Sequence, residues 1–422
     1  MGFIDELLSS VVGREVSPGE VVVVDVDVVY AHDGTAPLVV DVVERELSLE
    51  KLEAACRTYF FIDHLAPAPH VAAASVHGKM REFCRKHGIR LYDVGNGICH
   101  QVVVDEGIVR SGMVVMGADS HTPTVGALGV YALGVGSTDA AIAMAYGKQW
   151  VRVPPTVKVT LTGRPEPGVM SKDVILNVIG ELGTDGTMGK VVEFHGSTLK
   201  FFSMDSRFTL TNMSVEMGSE SAVIPVDELT EQWIKARGLT LHRLIDYNPS
   251  KSPFVDEIVF EVGDMEPVVA APPDVDNVVA VSEIEGEEVD QVFIGSCTNG
   301  RLEDIEVAAR ILRGGRVSKG VRCIISPASR LVYTEALKRG YLRTLAEAGC
   351  IIAPPTCGPC VGGHMGILAE GEVAIATTNR NFPGRMGHRD SKVYLASPAT
   401  AAATALKGSL TDPREYLRGW WT

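Results

Sequence analysis

The segment 356-TCGPCVGGHMG-366 is the stretch around which the rest of this chain can be interpreted. It carries two thiols, Cys357 and Cys360, in a glycine-rich loop. A third thiol, Cys297, lies sixty residues before Cys357 in FIGSCTNGR, at the end of an apolar run typical of a buried strand. Three thiols are an odd number for a zinc tetrahedron. They suit an iron–sulfur cube in which one iron has no protein ligand and acts on substrate as a Lewis acid.

The same thiols fit two other kinds of site. The pattern C-x-x-C also occurs in thioredoxin-like dithiols and in zinc sites. Thioredoxin-like motifs lie in a small βαβ unit near its N-terminus, whereas this one lies late in a long chain. Zinc would need a fourth ligand, which His364 could supply. The cysteines alone therefore leave a cluster, a zinc site and structural thiols as open alternatives.

Composition narrows the class of protein. With 422 residues, 45% of them hydrophobic, and 43 glycines, the chain is long enough for several globular domains. A formal net charge of −14 disfavours nucleic acid and anionic membranes as partners. No apolar run approaches the roughly twenty residues of a membrane span, and the N-terminus MGFIDELLSS lacks a signal-peptide pattern. Eight irregularly spaced cysteines suit a reducing compartment, so we expect a cytoplasmic protein.

Short apolar runs alternate with helical patterns along the chain. Residues 20–30 predict a half-buried strand, residues 48–58 and 70–87 predict helices, and residues 59–62 and 113–117 predict core strands. These two core strands deliver Asp63 with His64, and Asp119 with His121, to their carboxyl ends, where open α/β sheets bind ligands. The alternation predicts an α/β fold with doubly wound, mostly parallel sheets.

Three α/β domains are expected. Pro154-Pro155 precedes a new strand pattern, TVKVTLTG, and a proline-rich segment ends near residue 274. We therefore predict domains at residues 1–153, 154–275 and 276–422.

Histidines recur beside carboxylates or at strand ends. A carboxylate on one ring nitrogen fixes the tautomer and raises the pKa of the ring, as acid–base chemistry requires. Any one such histidine also fits a solvated or satisfied core residue. Several on short turns after apolar strands favour a catalytic site, and they are His32, His64, His100 and His121.

Two further segments carry polar side chains suited to a cleft. SRFTLTNMSVEM predicts a helix capped by Asp205 or Ser206, with Asn212 and Glu216 on one face. The loop NRNFPGR holds Arg380 and Arg385, whose guanidinium groups suit a di- or tricarboxylate. Solvent-facing polar pairs are the alternative in both segments.

Six motifs together carry a resemblance to a known family. GSCTNGR, TCGPCVGGHMG, TNRNFPGRMG, DHLAP, GICHQ and GADSHT resemble those of the large subunits of aconitase-type hydro-lyases. The resemblance covers essentially the whole chain, and it is strongest to the archaeal-type large subunits of 3-isopropylmalate dehydratase and homoaconitase. It disfavours the zinc and thioredoxin alternatives and implies three aconitase-type α/β domains without the mobile fourth domain.

The resemblance implies roles for individual residues. It implies a [4Fe–4S] cluster with one open iron, held by Cys297, Cys357 and Cys360. His64, paired with Asp63, is implied as the acid for the departing hydroxyl, and the pairs His100–Asp119 and His121–Glu216 are implied around the substrate and the iron-bound water. The implied substrate-binding residues are His32, Ser120, Asn212, Asn379, Arg380 and Arg385.

The resemblance also implies a partner. Single-chain aconitases carry the serine base in a fourth domain, in a turn that we do not find here. Ser329-Arg330 is the closest dipeptide, but it begins a helical pattern in which Ser329 is a suitable cap. Little chain follows the helix PATAAATALKG, so a separate small subunit is expected to supply the serine and a specificity loop.

The implied activity is a dehydration and rehydration that isomerises a 2-hydroxy acid. Leucine biosynthesis is the commoner role in this family, so the first expectation is 2-isopropylmalate to 3-isopropylmalate. The alternatives are homocitrate or citrate chemistry and, from another class, regulatory RNA binding by a cluster-free form. The acidic charge and the full histidine–carboxylate set disfavour RNA binding.

Overall fold

The computed structural model describes residues 2–417, which form three parallel or mixed sheets and one two-stranded ribbon. The first sheet is parallel, with strand order β4-β3-β2-β5-β6, and the antiparallel ribbon β1-β7 lies beside it. The strands are β1 Val21–Asp25, β2 Val28–His32, β3 Thr58–Phe61, β4 Arg90–Tyr92, β5 Val114–Gly117, β6 Tyr131–Gly134 and β7 Lys148–Arg152. The helices of this region are α1 Phe3–Val12, α2 Ala36–Asp41, α3 Val71–His87, α4 Cys99–Asp105 and α5 Ser137–Tyr146.

Residues 20–30 form two strands, where the sequence predicts one. The chain leaves β1 at Val26 and Asp27, and the Asp27 carboxylate accepts hydrogen bonds from the Val114 amide at 2.8 Å and from Arg243 at 3.0 Å. β1 then pairs in the ribbon, with alternate side chains exposed, while all five residues of β2 are buried in the sheet. A partly buried carboxylate that binds backbone and guanidinium groups therefore divides the valine-rich run.

The helix predicted over residues 48–58 is also absent from the described structure, where this segment has a single 3₁₀ turn at Ala55–Arg57. The amides of Glu53 and Ala54 donate to carbonyls of Ala145 and Met144 near the end of α5. Because those amides bond to α5, they do not form their own helical ladder. The helix predicted over 70–87 is confirmed as α3, which ends at Gly88 with a φ of 69°.

The second sheet is parallel, with order β10-β9-β8-β11. Its strands are β8 Thr156–Thr162, β9 Val191–His195, β10 Ser221–Val223 and β11 Asp256–Glu261, and its helices are α6 Ser171–Leu182, α7 Met204–Met213 and α8 Glu228–Ala236. Asn212 lies on α7, as predicted, but the cap is Ser203, whose Oγ accepts from the Ser206 amide. Glu216 lies in the 3₁₀ turn Ser214–Met217 that follows α7.

The third sheet has seven strands in the order β13-β12-β18-β17-β14-β15-β16. β12 pairs antiparallel with β13 and β18, and the other pairings are parallel. The strands are β12 Val268–Ala270, β13 Val278–Ala280, β14 Gln291–Ile294, β15 Arg322–Ile325, β16 Ile351–Ile352, β17 Val373–Ala376 and β18 Lys392–Ala396. The helices are α9 Ser296–Asn299, α10 Leu302–Leu312, α11 Arg330–Lys338, α12 Tyr341–Glu347 and α13 Pro398–Lys407.

The strand orders explain where a site can form. In the first sheet the chain changes direction of winding between β2 and β5, and in the third sheet between β14 and β17. At such points the carboxyl ends of neighbouring strands leave a crevice that ligands occupy. The segments after β3 and β5 carry His64 and His121, and those after β14 and β17 carry Cys297 and Arg380. His32 ends β2, and His100 lies in α4 after β4.

The predicted doubly wound α/β class is confirmed. The divisions at residues 153 and 275 stay predictions, and β12, at 268–270, belongs to the seven-stranded sheet. None of the helices within residues 2–417 is long and apolar enough to cross a membrane.

Candidate active site

The carboxyl ends of the first and third sheets meet at one cavity of about 410 Å³. Twelve of the predicted site residues line it, and they are His32, His64, His100, Asp119, Ser120, His121, Cys297, Cys357, Cys360, Asn379, Arg380 and Arg385. Asp63, Asn212 and Glu216 complete the predicted set. Each of them hydrogen-bonds to one of the lining side chains.

The pair Asp63–His64 follows β3. Asp63 is fully buried, with Oδ1 2.8 Å from His64 Nδ1 and Oδ2 accepting from the Cys99 amide at 2.7 Å. Burial alone would lower the pKa of His64. The charge and hydrogen bond of Asp63, followed by the charges of Asp119 and Asp33, outweigh it and raise the pKa to about 9. His64 is therefore a cation at neutral pH.

Asp33 holds the turn that carries this pair. Its carboxylate accepts from the backbone amides of Asp63 at 3.2 Å, His64 at 2.8 Å and Leu65 at 2.8 Å, and it lies 3.1 Å from His77 Nε2. The sequence places His32 beside Asp33, but His32 does not pair with it. The His32 ring stacks on His64 with centroids 3.7 Å apart and lies 3.1 Å from Asp119.

Asp119, after β5, joins three of the groups. Its Oδ1 lies 2.8 Å from His100 Nε2 and accepts from the His121 amide at 2.7 Å, while its Oδ2 faces His32. Burial would raise the pKa of Asp119, but the charges and hydrogen bonds of His100 and His32 hold it well below its usual range. On the far side, His100 Nδ1 lies 2.8 Å from the Tyr30 hydroxyl, so both ring nitrogens of His100 are occupied.

His121 and Glu216 form the third predicted pair, with Nε2 and Oε1 2.7 Å apart. Arg380 Nε contacts both oxygens of Glu216 at 3.0 Å. Burial would raise the pKa of Glu216, and the partners His121 and Arg380 lower it instead. Ser120 Oγ lies 3.3 Å from His121 Nδ1. Glu216 thus links a histidine of the first sheet to an arginine of the third.

The three predicted cysteines are buried, carry free thiols and face the same cavity. Cys297 lies in α9 immediately after Ser296, whose φ of 74° is unusual for a residue other than glycine. The amide nitrogens of Asn212 and Asn379 lie 3.2 and 3.5 Å from its sulfur. Arg385 Nη2 lies 3.6 Å from the sulfur of Cys360. Hydrogen-bond donors aimed at sulfur stabilise thiolates that bind metal.

The geometry of the sulfurs distinguishes between the metal alternatives. A zinc ion with Zn–S bonds of about 2.3 Å brings its sulfurs to roughly 3.8 Å from one another. Within residues 2–417, one group of three or more metal-binding side chains has ligand atoms within 4.8 Å of each other, and it does not include the cysteines. His364, the proposed fourth zinc ligand, instead lies 3.1 Å from Thr356 Oγ1. The three cysteine sulfurs are therefore not all within 4.8 Å of one another, and His364 is bound elsewhere, which disfavours a single zinc ion.

The cysteine loop is joined directly to the histidine pair. The Asp63 carbonyl accepts from the Cys357 amide at 2.9 Å and from Thr356 Oγ1 at 2.8 Å. Gly97, just before α4, and Ser329, just before α11, form a second contact between the first and third regions of the chain. A side chain at Gly97 would lie 2.4 Å from the Ser329 backbone. Ser329 is the cap of α11, as predicted.

Several residues of the site were not predicted. Arg301, which ends the motif GSCTNGR, is buried and donates to the carbonyls of Cys297 and Thr298, both at 2.7 Å, and to Gln101 at 2.9 Å. Its position inside a cysteine motif is a signal that could have identified it. Asp33 is adjacent to His32 in the sequence, which does not indicate that it binds the turn at residues 63–65, and Tyr30 lies in an apolar strand that gives no such signal.

Comparison with known proteins agrees with this geometry. Residues 7–408 match the profile of the aconitase family (aconitate hydratase). The chain is 50% identical to 3-isopropylmalate dehydratase large subunit 1 of Methanopyrus kandleri, over 98% of this chain and 99% of that protein. It is 44% identical to the probable methanogen homoaconitase large subunit of Methanothermobacter thermautotrophicus, over 98% of each.

A solved structure shares the fold. The crystal structure of the holo-form of Thermococcus kodakaraensis aconitase X aligns with a TM-score of 0.51 at 15% identity, covering 89% of this chain and 87% of that one. The near full-length matches and the cavity described above lead to one conclusion: the chain belongs to the aconitase family.

Proposed function

We propose that this chain is the large subunit of a cytoplasmic hydro-lyase that isomerises a 2-hydroxy di- or tricarboxylic acid by dehydration and rehydration. The observation that carries the proposal is the convergence of three free thiols, a cationic histidine and two arginines on one cavity. The preferred reaction is 2-isopropylmalate to 3-isopropylmalate in leucine biosynthesis. The Methanopyrus relative, 50% identical and named as such a large subunit, supports this choice.

Cys297, Cys357 and Cys360 would hold a [4Fe–4S] cluster with one iron free of protein ligands. Their burial and free thiols fit such a group. Burial, with the charge of Cys360, raises the pKa of Cys297 to about 12, so binding of metal releases a proton there. When bound, the cluster supplies a Lewis acid that weakens the carbon–oxygen bond of the substrate hydroxyl.

His64 would hold the proton that the departing hydroxyl takes. Its Nδ1 is occupied by Asp63, so Nε2 is the nitrogen available to substrate. With a pKa of about 9 the ring keeps this proton at neutral pH and gives it up when a stronger base forms beside it. The stacked His32 ring and the Asp33 cradle fix the direction in which Nε2 points.

Arg380 and Arg385 would bind the substrate carboxylates. Glu216 occupies Nε of Arg380, which leaves the two terminal nitrogens of that guanidinium for a bidentate contact. Burial would lower the pKa of Arg385, but the neighbouring thiols raise it, so this side chain stays charged. Two fixed cations in a cavity of this size select small dianionic or trianionic acids.

A small subunit would supply the remaining base, a serine that takes the proton from carbon, together with a loop that selects the substrate. The designation of the relatives as large subunits supports a two-subunit enzyme. The homoaconitase-named relative supports homocitrate chemistry as the second candidate for the same site.

The test is anaerobic co-expression with the small subunit of the same organism, followed by iron and sulfide analysis and turnover of 2-isopropylmalate, homocitrate and citrate. We expect about four irons and four sulfides per large subunit and turnover that requires the partner. Preferred turnover of homocitrate would select the alternative. Bound zinc without sulfide, or full turnover by this chain alone, would contradict the proposal.

A further inference from the structure

Lys172 is a fully buried lysine that the proposed chemistry does not use. It lies in the first turn of α6, beside the four-stranded sheet, with a side chain that is 0% exposed. Its ammonium group donates to the carbonyls of Thr377 at 3.1 Å and Thr378 at 2.6 Å. Those carbonyls follow β17 and immediately precede Asn379 and Arg380. A side chain of helix α6 therefore fixes the backbone that leads from the third sheet into the active site.

The positive charge of Lys172 has no carboxylate partner within ion-pair distance among residues 2–417. The neighbouring Asp173 is directed elsewhere, because its oxygens accept from the amides of Met170 at 2.8 Å and Val268 at 3.2 Å. Two neutral carbonyls solvate the ammonium ion but do not neutralise it. A buried charge left in this state is unfavourable.

The groups that act on Lys172 indicate what neutralises it. Burial lowers its pKa to about 7, and the charges that oppose this effect are, in order, those of Asp304, Cys360, Cys297 and Asp173. Asp304 already accepts from the Arg301 amide at 2.8 Å and from Asn299 at 3.0 Å, and burial raises its own pKa to about 7. The geometry places two thiols beside this network, because Asn379, which follows Thr378, lies 3.5 Å from the sulfur of Cys297 and 3.8 Å from that of Cys360. These thiols become fully negative once they ligate metal.

We propose that Lys172 is a positioning and charge-compensating residue of the iron–sulfur site: it fixes the backbone ahead of Asn379 and Arg380, and it balances the negative charge of the metal-bound cysteine thiolates. This inference rests on the proposed cluster. Lys172, on α6, would thus act on a site whose cysteine ligands lie in segments that connect strands of the third sheet.

Removing the charge has opposite consequences in the two forms of the protein. With the cluster bound, loss of a nearby positive charge makes addition of an electron less favourable, so the reduction potential becomes more negative. Without metal, loss of an uncompensated buried charge relieves a cost, so the thermal stability is unchanged or higher. A lysine that only supports the fold would lower the stability of both forms equally.

The experiment compares Lys172→Gln, Lys172→Met and Lys172→Arg with the wild-type holoenzyme. Glutamine keeps a hydrogen-bond donor and removes the charge, methionine removes both, and arginine keeps the charge. Lys158→Gln is the control, because Lys158 lies on β8 of the neighbouring sheet and pairs with Glu257 at 3.1 Å. The readouts are the midpoint reduction potential, the rate of iron loss to a chelator, and melting temperatures with and without cluster.

We expect Lys172→Gln to shift the potential to more negative values and to lose iron about ten-fold faster, equivalent to ~1.4 kcal/mol. We expect Lys172→Arg to keep the wild-type potential. An unchanged potential and iron-loss rate in Lys172→Gln, or equal destabilisation of both forms, would overturn the inference while leaving the proposed function intact. Failure of the wild-type chain to take up iron and sulfide would instead show that both proposals are wrong.

Discussion

The histidine side and the cysteine side of the cavity are built in different ways. On the histidine side, protein groups hold the rings: His64 on Asp63, His100 between Asp119 and Tyr30, and His121 on Glu216, with contacts of 2.7–2.8 Å. On the cysteine side the contacts to sulfur are 3.2–3.8 Å, as the larger sulfur atom requires, and involve two side-chain amides and a guanidinium. The first side is held by histidine–carboxylate pairs of the chain itself, whereas the proposed function would complete the second with a metal group.

Because the two sides are built differently, substitutions on each side should remove a different property of the enzyme. Substitution on the cysteine side should remove the cofactor and leave the metal-free fold almost unchanged. Substitution on the histidine side should leave the cofactor bound and remove acid–base function or local stability. Each of the following variants tests one half of that contrast.

The largest expected effect is that of Cys360→Ser. The variant should lose the cluster and, with it, metal assistance worth several kcal/mol, so turnover should fall by more than about 10³-fold. Iron and sulfide analysis measures the loss of the cluster, and an activity assay measures the loss of turnover. The melting temperature of the metal-free variant should equal that of the metal-free wild type, because the histidine side is unchanged. Cys56→Ser is the control, because Cys56 is exposed. Retention of a full cluster by Cys360→Ser would contradict the assigned ligand set.

His64→Gln should come next. Loss of a general acid lowers kcat by about 10²–10⁴-fold, but iron content should equal that of the wild type because His64 is not a ligand. Steady-state kinetics with iron analysis on the same sample checks both halves. His388→Gln, at a half-exposed position in the loop before β18, is the matched control. Loss of iron in His64→Gln would contradict the claim that the histidine side can be changed without loss of the cofactor.

A smaller loss is expected for Asp33→Asn. The amide cannot accept all the contacts that the carboxylate accepts from the backbone of residues 63–65 and from His77, and hydrogen bonds to a charged group contribute about 1.5–3 kcal/mol each. We expect the free energy of unfolding to fall by ~2 kcal/mol and kcat to fall because the turn carrying His64 is less well fixed. Denaturant unfolding measures the first effect, with the exposed Asp390→Asn as control. An unchanged free energy of unfolding would show that the cradle is not needed.

The smallest effect concerns pH. The folded-state pKa of His64, about 9, lies above the ordinary value of 6.5. The stabilisation from its charge is therefore fully present below pH 6.5 and is lost as pH rises through about 9. The protonated form of His64 is lost as pH rises through about 9, so kcat should fall about tenfold per pH unit above pH 9. The pH profile of kcat measures this, and Asp63→Asn should move the falling limb to lower pH. A profile that Asp63→Asn leaves in place would assign the limb to another group.

Much of this contrast is visible in the sequence. The motifs place Asp63 with His64, and Cys297, at the ends of apolar runs, and the ends of β3 and β14 confirm that placement. The partner of His32 was not predictable, because Asp119 lies eighty-seven residues away while Asp33 is adjacent. Adjacent residues on a turn do not necessarily point at each other.

Polar residues that lie behind the cavity lining and hold its backbone were the least predictable. Lys172 lies in a helix whose sequence, SKDVILNVIGEL, is typical of an amphipathic surface helix, yet Lys172 and Asp173 are both buried. Their partners are backbone groups of distant segments, and backbone carbonyls carry no sequence signal. The split of residues 20–30 has the same cause, since the bonds of Asp27 go to Val114 and Arg243.

The contacts that close the cavity join parts of the chain that are made at very different times during synthesis. The Asp63 carbonyl meets Thr356, and Lys172 meets Thr377 and Thr378, across separations of 293, 205 and 206 residues. The first sheet is therefore translated long before the cysteine loop leaves the ribosome. Because contacts between distant segments form slowly, the nascent chain exposes an unfinished pocket edge until residues 379–385 emerge.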